Sequence, residues 1–228
     1  MDHVLDNPAW SALTLGNKNL SNGTVAVKYF DKQVSPFVAF EEISNENFNT
    51  LHDLLPDEST SFLITQNEIE FPAGWKVLHC IKGFQMVYTG DAIPVKPGAE
   101  LVPLTEKDTP QMVSLTKLTN PGPFAPRTIE FGHYYGVFDG EQLVAMAGQR
   151  LNPQPYAEIS AVCTHPDHLG KGYARQLLAF HINRIKAAGE IPFLHVRYNN
   201  DRAIKVYHDM GFETRREICF NYILKLNN

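Results

Sequence analysis

The stretch Val162-Cys-Thr-His-Pro-Asp-His-Leu-Gly-Lys-Gly-Tyr-Ala174 decides the reading of this chain. Just before the loop, Glu158 to Thr164 has the short apolar character of a strand. After it, Ala174, Leu177, Leu178, Ile182, Ile185 and Ala188 recur at helical spacing, and Gly189 marks the stop. A strand therefore enters a loop with glycines at 170 and 172 and leaves as an amphipathic helix. The first N–H groups of such a helix have no backbone acceptor, and small residues let a ligand approach them, so the loop suits an anion. The helix dipole contributes only about 0.3 to 1 kcal/mol, so oriented amides must supply much of the binding. Spacing excludes two familiar phosphate loops. Gly172 is followed by Tyr173 where a Walker loop needs lysine and a hydroxyl residue, and Gly170-Lys-Gly172 leads to Arg175 where a dinucleotide fingerprint needs glycine.

Outward from the loop the pattern stays mixed. Downstream, Phe193 to Val196 reads as a strand. Asn200 caps a helix carrying Ala203, Val206, Tyr207 and Met210 on one face, Gly211 ends it, and Phe212 to Leu226 is expected to supply a final pair of strands. Upstream, Leu101 to Leu104 is a short strand and Lys107 to Leu118 a helix. Tyr134 to Phe138 and Gln142 to Ala147 form a hairpin turned at Asp139-Gly140. Gly90-Asp-Ala-Ile-Pro-Val-Lys-Pro-Gly98 reads as a linker, because proline and glycine resist helix interiors and central strands. It sets an expected boundary between an N-terminal α/β domain of unknown role, residues 1–98, and a second domain, residues 99–228. The first has candidate strands at Thr24 to Tyr29, Ser61 to Thr65 and Trp75 to Met86, a helix around Asn47 to Leu55, and another opened by Pro8 and anchored by Trp10.

The loop resembles the pyrophosphate loop of the GNAT superfamily of acetyl-CoA-dependent N-acyltransferases, [QR]-x-x-G-x-[GA], on Leu169, Gly170, Lys171, Gly172, Tyr173 and Ala174. Leu169, in place of Gln or Arg, departs from the pattern and weakens one side-chain contact while leaving the backbone cradle available. Two further features match: the preceding strand ends in Thr164-His-Pro166, and Asn200 to Phe212 resembles the superfamily's second helix, N-x-x-A, then an aromatic, then G-F. The resemblance covers about residues 99–228. It implies an α/β (α+β) fold with a mixed, mostly antiparallel sheet flanked by helices. Some acyltransferases also carry a degenerate GNAT-like N-terminal half, which is one reading of residues 1–98.

The activity implied is transfer of the acetyl group of acetyl-CoA to a primary amine of a small molecule or amino acid, by direct attack. Two alternatives stand beside it: transfer of a longer acyl group to an amino acid such as glycine, and a CoA-binding regulatory module without chemistry. The resemblance implies that acetyl-CoA lies between the strand ending at Thr164 and the strand Phe193 to Val196. Backbone groups along Val162, Cys163 and Thr164 would bond the pantetheine arm, and the segment from Leu169 to Arg175 would hold the pyrophosphate. Lys171 and Arg175 either meet phosphate charge or form an exposed helix face. Asn200 is either a helix cap or a CoA contact.

A free alkylamine with a pKa near 10.4 costs about 4 to 5 kcal/mol to deprotonate at pH 7, so a base is needed. Glu158 is the candidate, eleven residues before Leu169 as in base-bearing relatives; the alternative is a solvated strand end. Tyr207 occupies the position of the superfamily's usual donor to the departing thiolate, or is a core tyrosine. Cys163 reads more readily as a small core residue than as a nucleophile, since direct transfer needs no acyl-enzyme. Asn120-Pro-Gly-Pro-Phe124 lies where such enzymes build the acceptor pocket, with Phe124 a lining candidate and Arg127 either a carboxylate clamp or a surface residue.

Composition bounds the partners. Of 228 residues 43% are hydrophobic and 20% charged, an ordinary globular mixture. No run approaches the roughly 20 apolar residues of a membrane span, and Met1 to Asn22 lacks the basic and apolar regions of a signal peptide, so a cytoplasmic protein without membrane association is expected. Cys80, Cys163 and Cys219 lie far apart, and proline within His165-Pro-Asp-His168 spoils a metal pair, so no metal is expected. A net charge of -5 argues against nucleic acid. Residues 1–98 hold 12 acids against 6 lysines, residues 99–228 hold 13 acids against 14 bases, and all arginines lie in the second part. The acidic part either walls the pocket, favouring a cationic acceptor, or pairs with a second chain. Monomer and homodimer both remain open.

Overall fold

The computed structural model describes residues 3–94 and 98–227. Its strands are β1 (Ser21–Gly23), β2 (Val27–Phe30), β3 (Phe37–Phe40), β4 (Thr60–Thr65), β5 (Trp75–Tyr88), β6 (Val102–Pro103), β7 (Tyr135–Asp139), β8 (Gln142–Gln149), β9 (Tyr156–Thr164), β10 (Ile191–Arg197) and β11 (Phe212–Lys225). The α-helices are α1 (Pro8–Thr14), α2 (Asn45–Leu54), α3 (Thr109–Thr119), α4 (Tyr173–Ala187) and α5 (Asp201–Asp209). The strands form one open sheet in the order β1-β2-β3-β4-β11-β5-β10-β9-β8-β7-β6. Two ladders, β3 with β4 and β9 with β10, are parallel, and the others are antiparallel, as the resemblance implied.

Local chemistry sets the helix ends. The Asn7 side chain accepts the Trp10 amide with Pro8 at the first helical position, and Ser44 accepts the Asn47 amide at the start of α2. Leu177, Leu178, Ile182 and Ile185 make the buried face of α4, each burial worth about 1.5 to 3 kcal/mol. They pack in a cluster with Ala157, Ile159, Leu194 and Tyr207, or against β8 through Leu177.

Three elements differ from the sequence expectations. The expected final pair of strands is one 14-residue strand, β11, because Phe212 to Lys225 contains neither glycine nor proline to turn the chain. Register shifts at Thr214/Arg216 and Tyr222/Ile223 bend it instead. Its partner on one side is β5, which lies between β10 and β11. The boundary expected near residue 98 therefore does not divide the sheet, since a strand from the first part separates two strands of the second. Finally, β3 has no alternation to reveal it: Phe37, Val38, Ala39 and Phe40 are all buried, paired on both edges by β2 and β4.

The feature that makes a site is in β9. Opposite it, β8 pairs Met146 with Cys163 but Gly148 with Ser160, so β9 carries one extra residue. Ala161 sits there with φ at 53°, a left-handed conformation rare for a residue with a Cβ. Such a bulge bends and twists its strand. Accordingly β9 and β10 pair only from Tyr156/Ile191 to Glu158/Phe193 and then part.

Candidate active site

Beyond Glu158 and Phe193 the facing edges of β9 and β10 have no ladder bonds, and a cleft of about 990 Å³ opens between them. Ile159 to Thr164 line one side and His195 to Arg197 the other. At one end the cleft meets the N-terminus of α4. Gly170 and Gly172 have φ of 81° and 83°, and a Cβ on either would meet no atom within 4 Å, so their open faces turn to free space. Gly172 caps α4 without a side-chain acceptor, and the first amide bonded within the helix is that of Gln176, to the Gly172 carbonyl. Among the described residues, the amides from Gly170 to Arg175 have no hydrogen-bond partner. Leu169, Gly170, Gly172, Tyr173, Ala174 and Arg175 line the cleft, with Leu169 47% exposed.

Tyr207 of α5 also lines the cleft with only 9% of its surface exposed, and its hydroxyl has no protein partner among the described residues. Burial pushes this phenol up to about 12, so it keeps its proton throughout the neutral range. Asn200 lines the cleft and also caps α5 through the Ala203 amide. Cys163 is buried against the cleft, and burial pushes its thiol up to about 11, which leaves little thiolate.

Glu158 sits at the apex where the strands part, and it is not the solvated strand end considered above. It is fully buried. Its Oε2 accepts from Arg150 Nε at 2.9 Å and the Leu151 amide at 3.1 Å, and its Oε1 accepts from Arg150 Nη2 at 2.6 Å and lies 2.7 Å from His195 Nδ1. Burial alone raises a carboxyl, but the Arg150 charge and the hydrogen bonds of His195 and Arg150 override it and hold Glu158 well below the usual carboxylate range. Arg150 and His195 line the cleft, and Glu158 does not.

The tautomer of His195 follows from its other neighbour. Gln85 Nε2 donates to the Leu5 carbonyl at 2.9 Å, and Gln85 Oε1 accepts from Arg215 at 2.9 Å, which fixes the amide orientation. Gln85 Nε2, at 3.2 Å, therefore donates to His195 Nε2, and the ring proton resides on Nδ1, toward Glu158.

Two expected residues are not brought to the cleft. Arg127 is half-exposed, bonded to both oxygens of Glu130 and to Asp31, and does not line it, so its carboxylates come from its own neighbours. Lys171 Nζ lies 3.1 Å from His168 Nδ1, also outside the lining. Phe124 does line the cleft. Sequence reasoning passed over Arg150, His195 and Lys32. A histidine between Leu194 and Val196 in an apolar strand was a usable signal; Arg150 and Lys32 had none. Residues of the acidic first part do wall the cleft, namely Lys32, Pro36, Phe37, Thr60, Phe62 and Ile81, but among the described residues the lining includes no Asp or Glu.

Residues 134–221 match the family model for FR47-like protein. The chain is 31% identical over 136 residues to the N-alpha-acetyltransferase RimI of Mycobacterium tuberculosis, covering 55% of this chain and 82% of that one. It is a member of the GNAT superfamily of N-acetyltransferases. A GNAT-family structure from Novosphingobium aromaticivorans matches with a TM-score of 0.89 and 33% identity over 99% of this chain and 100% of its own. A GCN5-related N-acetyltransferase from Kribbella flavida, 13% identical, matches 97% of this chain and 96% of its own at a TM-score of 0.65, a likeness of fold. The GNAT chain described here is thus an acyltransferase, and its family uses acetyl-CoA as acetyl donor.

Proposed function

We propose that this GNAT enzyme transfers acetyl from acetyl-CoA to the primary amine of a small molecule by direct attack in a ternary complex. The observation that carries this reading is the parting of β9 and β10 beside a helix N-terminus whose amides are unbonded. The donor fits this architecture: amides from Gly170 to Arg175 hold the pyrophosphate, Arg175 adds charge, and the free edge at Val162 to Thr164 bonds the pantetheine arm as an added strand. An unpaired N–H on that edge also faces the oxyanion that attack creates. The Tyr207 hydroxyl, unpartnered and protonated, donates to the departing sulfur.

Glu158 has a different task from the expected base. Held ionised, and walled from the cleft by Arg150 and His195, it is a positioning residue that fixes both of them. The ammonium proton then leaves through cleft water before attack. The likeness to the N-alpha-acetyltransferase RimI of Mycobacterium tuberculosis favours a protein N-terminus as the second reading. Thiol release from acetyl-CoA, measured with a panel of small amines and of N-terminal peptides, separates the two. Turnover with small amines supports the first reading; turnover with peptides alone overturns it. Calorimetric titration with CoA tests the cradle, and absence of binding removes the whole scheme.

A further inference from the structure

The charge of the cleft wall is one-sided. Lys32, Arg150, Arg175, Arg197 and Arg202 line it, and no carboxylate does among the described residues. Three of these cations belong to the end where the phosphates are expected: Arg175 on the first turn of α4, Arg202 on the first turn of α5, and Arg197 at the end of β10. Arg175 is already paired with Asp209.

Lys32 and Arg150 line the cleft together with the loop from Thr119 to Ala125, and Arg150 shares a small pocket with Pro121 to Phe124. Lys32 precedes Gln33, whose carbonyl accepts the Arg127 amide just beyond this loop, and Lys32 makes no ion pair among the described residues. Arg150 is held rigidly. Glu158 engages its Nε and Nη2, and its guanidinium carbon lies 4.8 Å from the centre of the Phe37 ring. Nη1 is left over. It lies beside Gly122, 4.0 Å from where a Cβ would stand, and makes no hydrogen bond among the described residues.

Resting on the acetyl-transfer reading above, we propose that the acceptor is a small amine bearing a carboxylate, an amino acid or close analogue, whose carboxylate is bound by Arg150 Nη1 and Lys32. A preorganised guanidinium edge and a mobile ammonium suit a planar anion, while a second cationic group on the acceptor, as in a diamine, finds only like charge. The carboxylate clamp expected at Arg127 is thereby transferred to a residue that reaches the cleft.

The test compares free amino acids with their primary amides, their decarboxylated amines and simple diamines, using thiol release from acetyl-CoA by the full chain. The expected result is kcat/KM about 10- to 100-fold higher for the carboxylate form, carried mainly in KM. A Lys32→Glu variant, altered at an exposed position, raises KM for the amino acid about tenfold and narrows its advantage over the amide. Turnover that favours amides, diamines or peptide N-termini overturns this inference and leaves acetyl transfer standing. An unchanged amino-acid-to-amide ratio in Lys32→Glu removes Lys32 from the subsite. A panel in which no amine releases thiol removes the acetyl-transfer reading, and this inference falls with it.

Discussion

Replacing Glu158 by glutamine separates a positioning carboxylate from a catalytic base. In the parent, four donors converge on the carboxylate: Arg150 Nη2 and His195 Nδ1 on Oε1, Arg150 Nε and the Leu151 amide on Oε2. Whichever way the glutamine amide turns, its NH2 faces two of these donors. Arg150, with a side chain 10% exposed, is left as a buried cation without its counter-charge. Breaking a buried pair on one side costs about 3 to 5 kcal/mol, a large part of the roughly 5 to 15 kcal/mol that holds a typical domain folded. With a urea dependence of about 2 to 3 kcal/mol per molar, the unfolding midpoint of Glu158→Gln falls on the order of 1 to 2 M. Fluorescence of the buried Trp10 and Trp75 reports it. The sign of the pH dependence is also set. The folded carboxyl lies below its ordinary value of 4.5, so its contribution is present above that value and is lost as pH falls below it, and parent and variant converge in acid. Activity declines together with stability, because Arg150 and His195 lose their anchor. A variant that unfolds at the parent's midpoint yet loses more than about a hundredfold in kcat refutes this reasoning and restores Glu158 as the base.

Further outcomes follow from other sites. Tyr207→Phe lowers kcat by about 10²- to 10⁴-fold in thiol-release assays while leaving CoA affinity within about threefold, and unchanged kcat removes the donor role. His181 is fully buried with no hydrogen-bond partner for either ring nitrogen among the described residues, and burial, followed by the Arg184 charge, pushes it down to about 3. The unfolded chain therefore takes up this proton first as pH drops below 6.5, and the parent loses about 2 kcal/mol from this group between pH 7 and pH 5. Urea unfolding of His181→Leu at both pH values should show that much less acid sensitivity; an equal loss contradicts the assignment. Gly172→Val forces a β-branched residue into the left-handed region and crowds the phosphate approach, so calorimetry should show CoA binding weakened at least about tenfold. Arg127→Ala should leave KM within about twofold, and a larger rise would return this arginine to the acceptor site.

Local signals carried a good share of the molecule. Helix α4 was legible from its spacing, α5 from its Asn200 cap and Gly211 stop, and the anion loop from two glycines between a strand and a helix, because each depends on neighbours within about a turn or two of chain. The extended character of Phe212 to Lys225 was legible too, though the segment was read as two strands when it has neither glycine nor proline to turn it. Which strands lie side by side is decided at longer range. Strand β5 reaches between β10 and β11 across about a hundred residues of chain, and local pattern does not number a strand's neighbours. The same holds for the site. Arg150 looks like any strand-end arginine until folding sets it against Glu158 and Phe37, and the positive wall of the cleft exists only because Lys32, from a net acidic segment, is carried there by its fold. Residue type and short spacing, written in the chain, determined the glycine loop at the start of α4; the other charged residues that line the cleft are distant in sequence, and only tertiary packing brings them together.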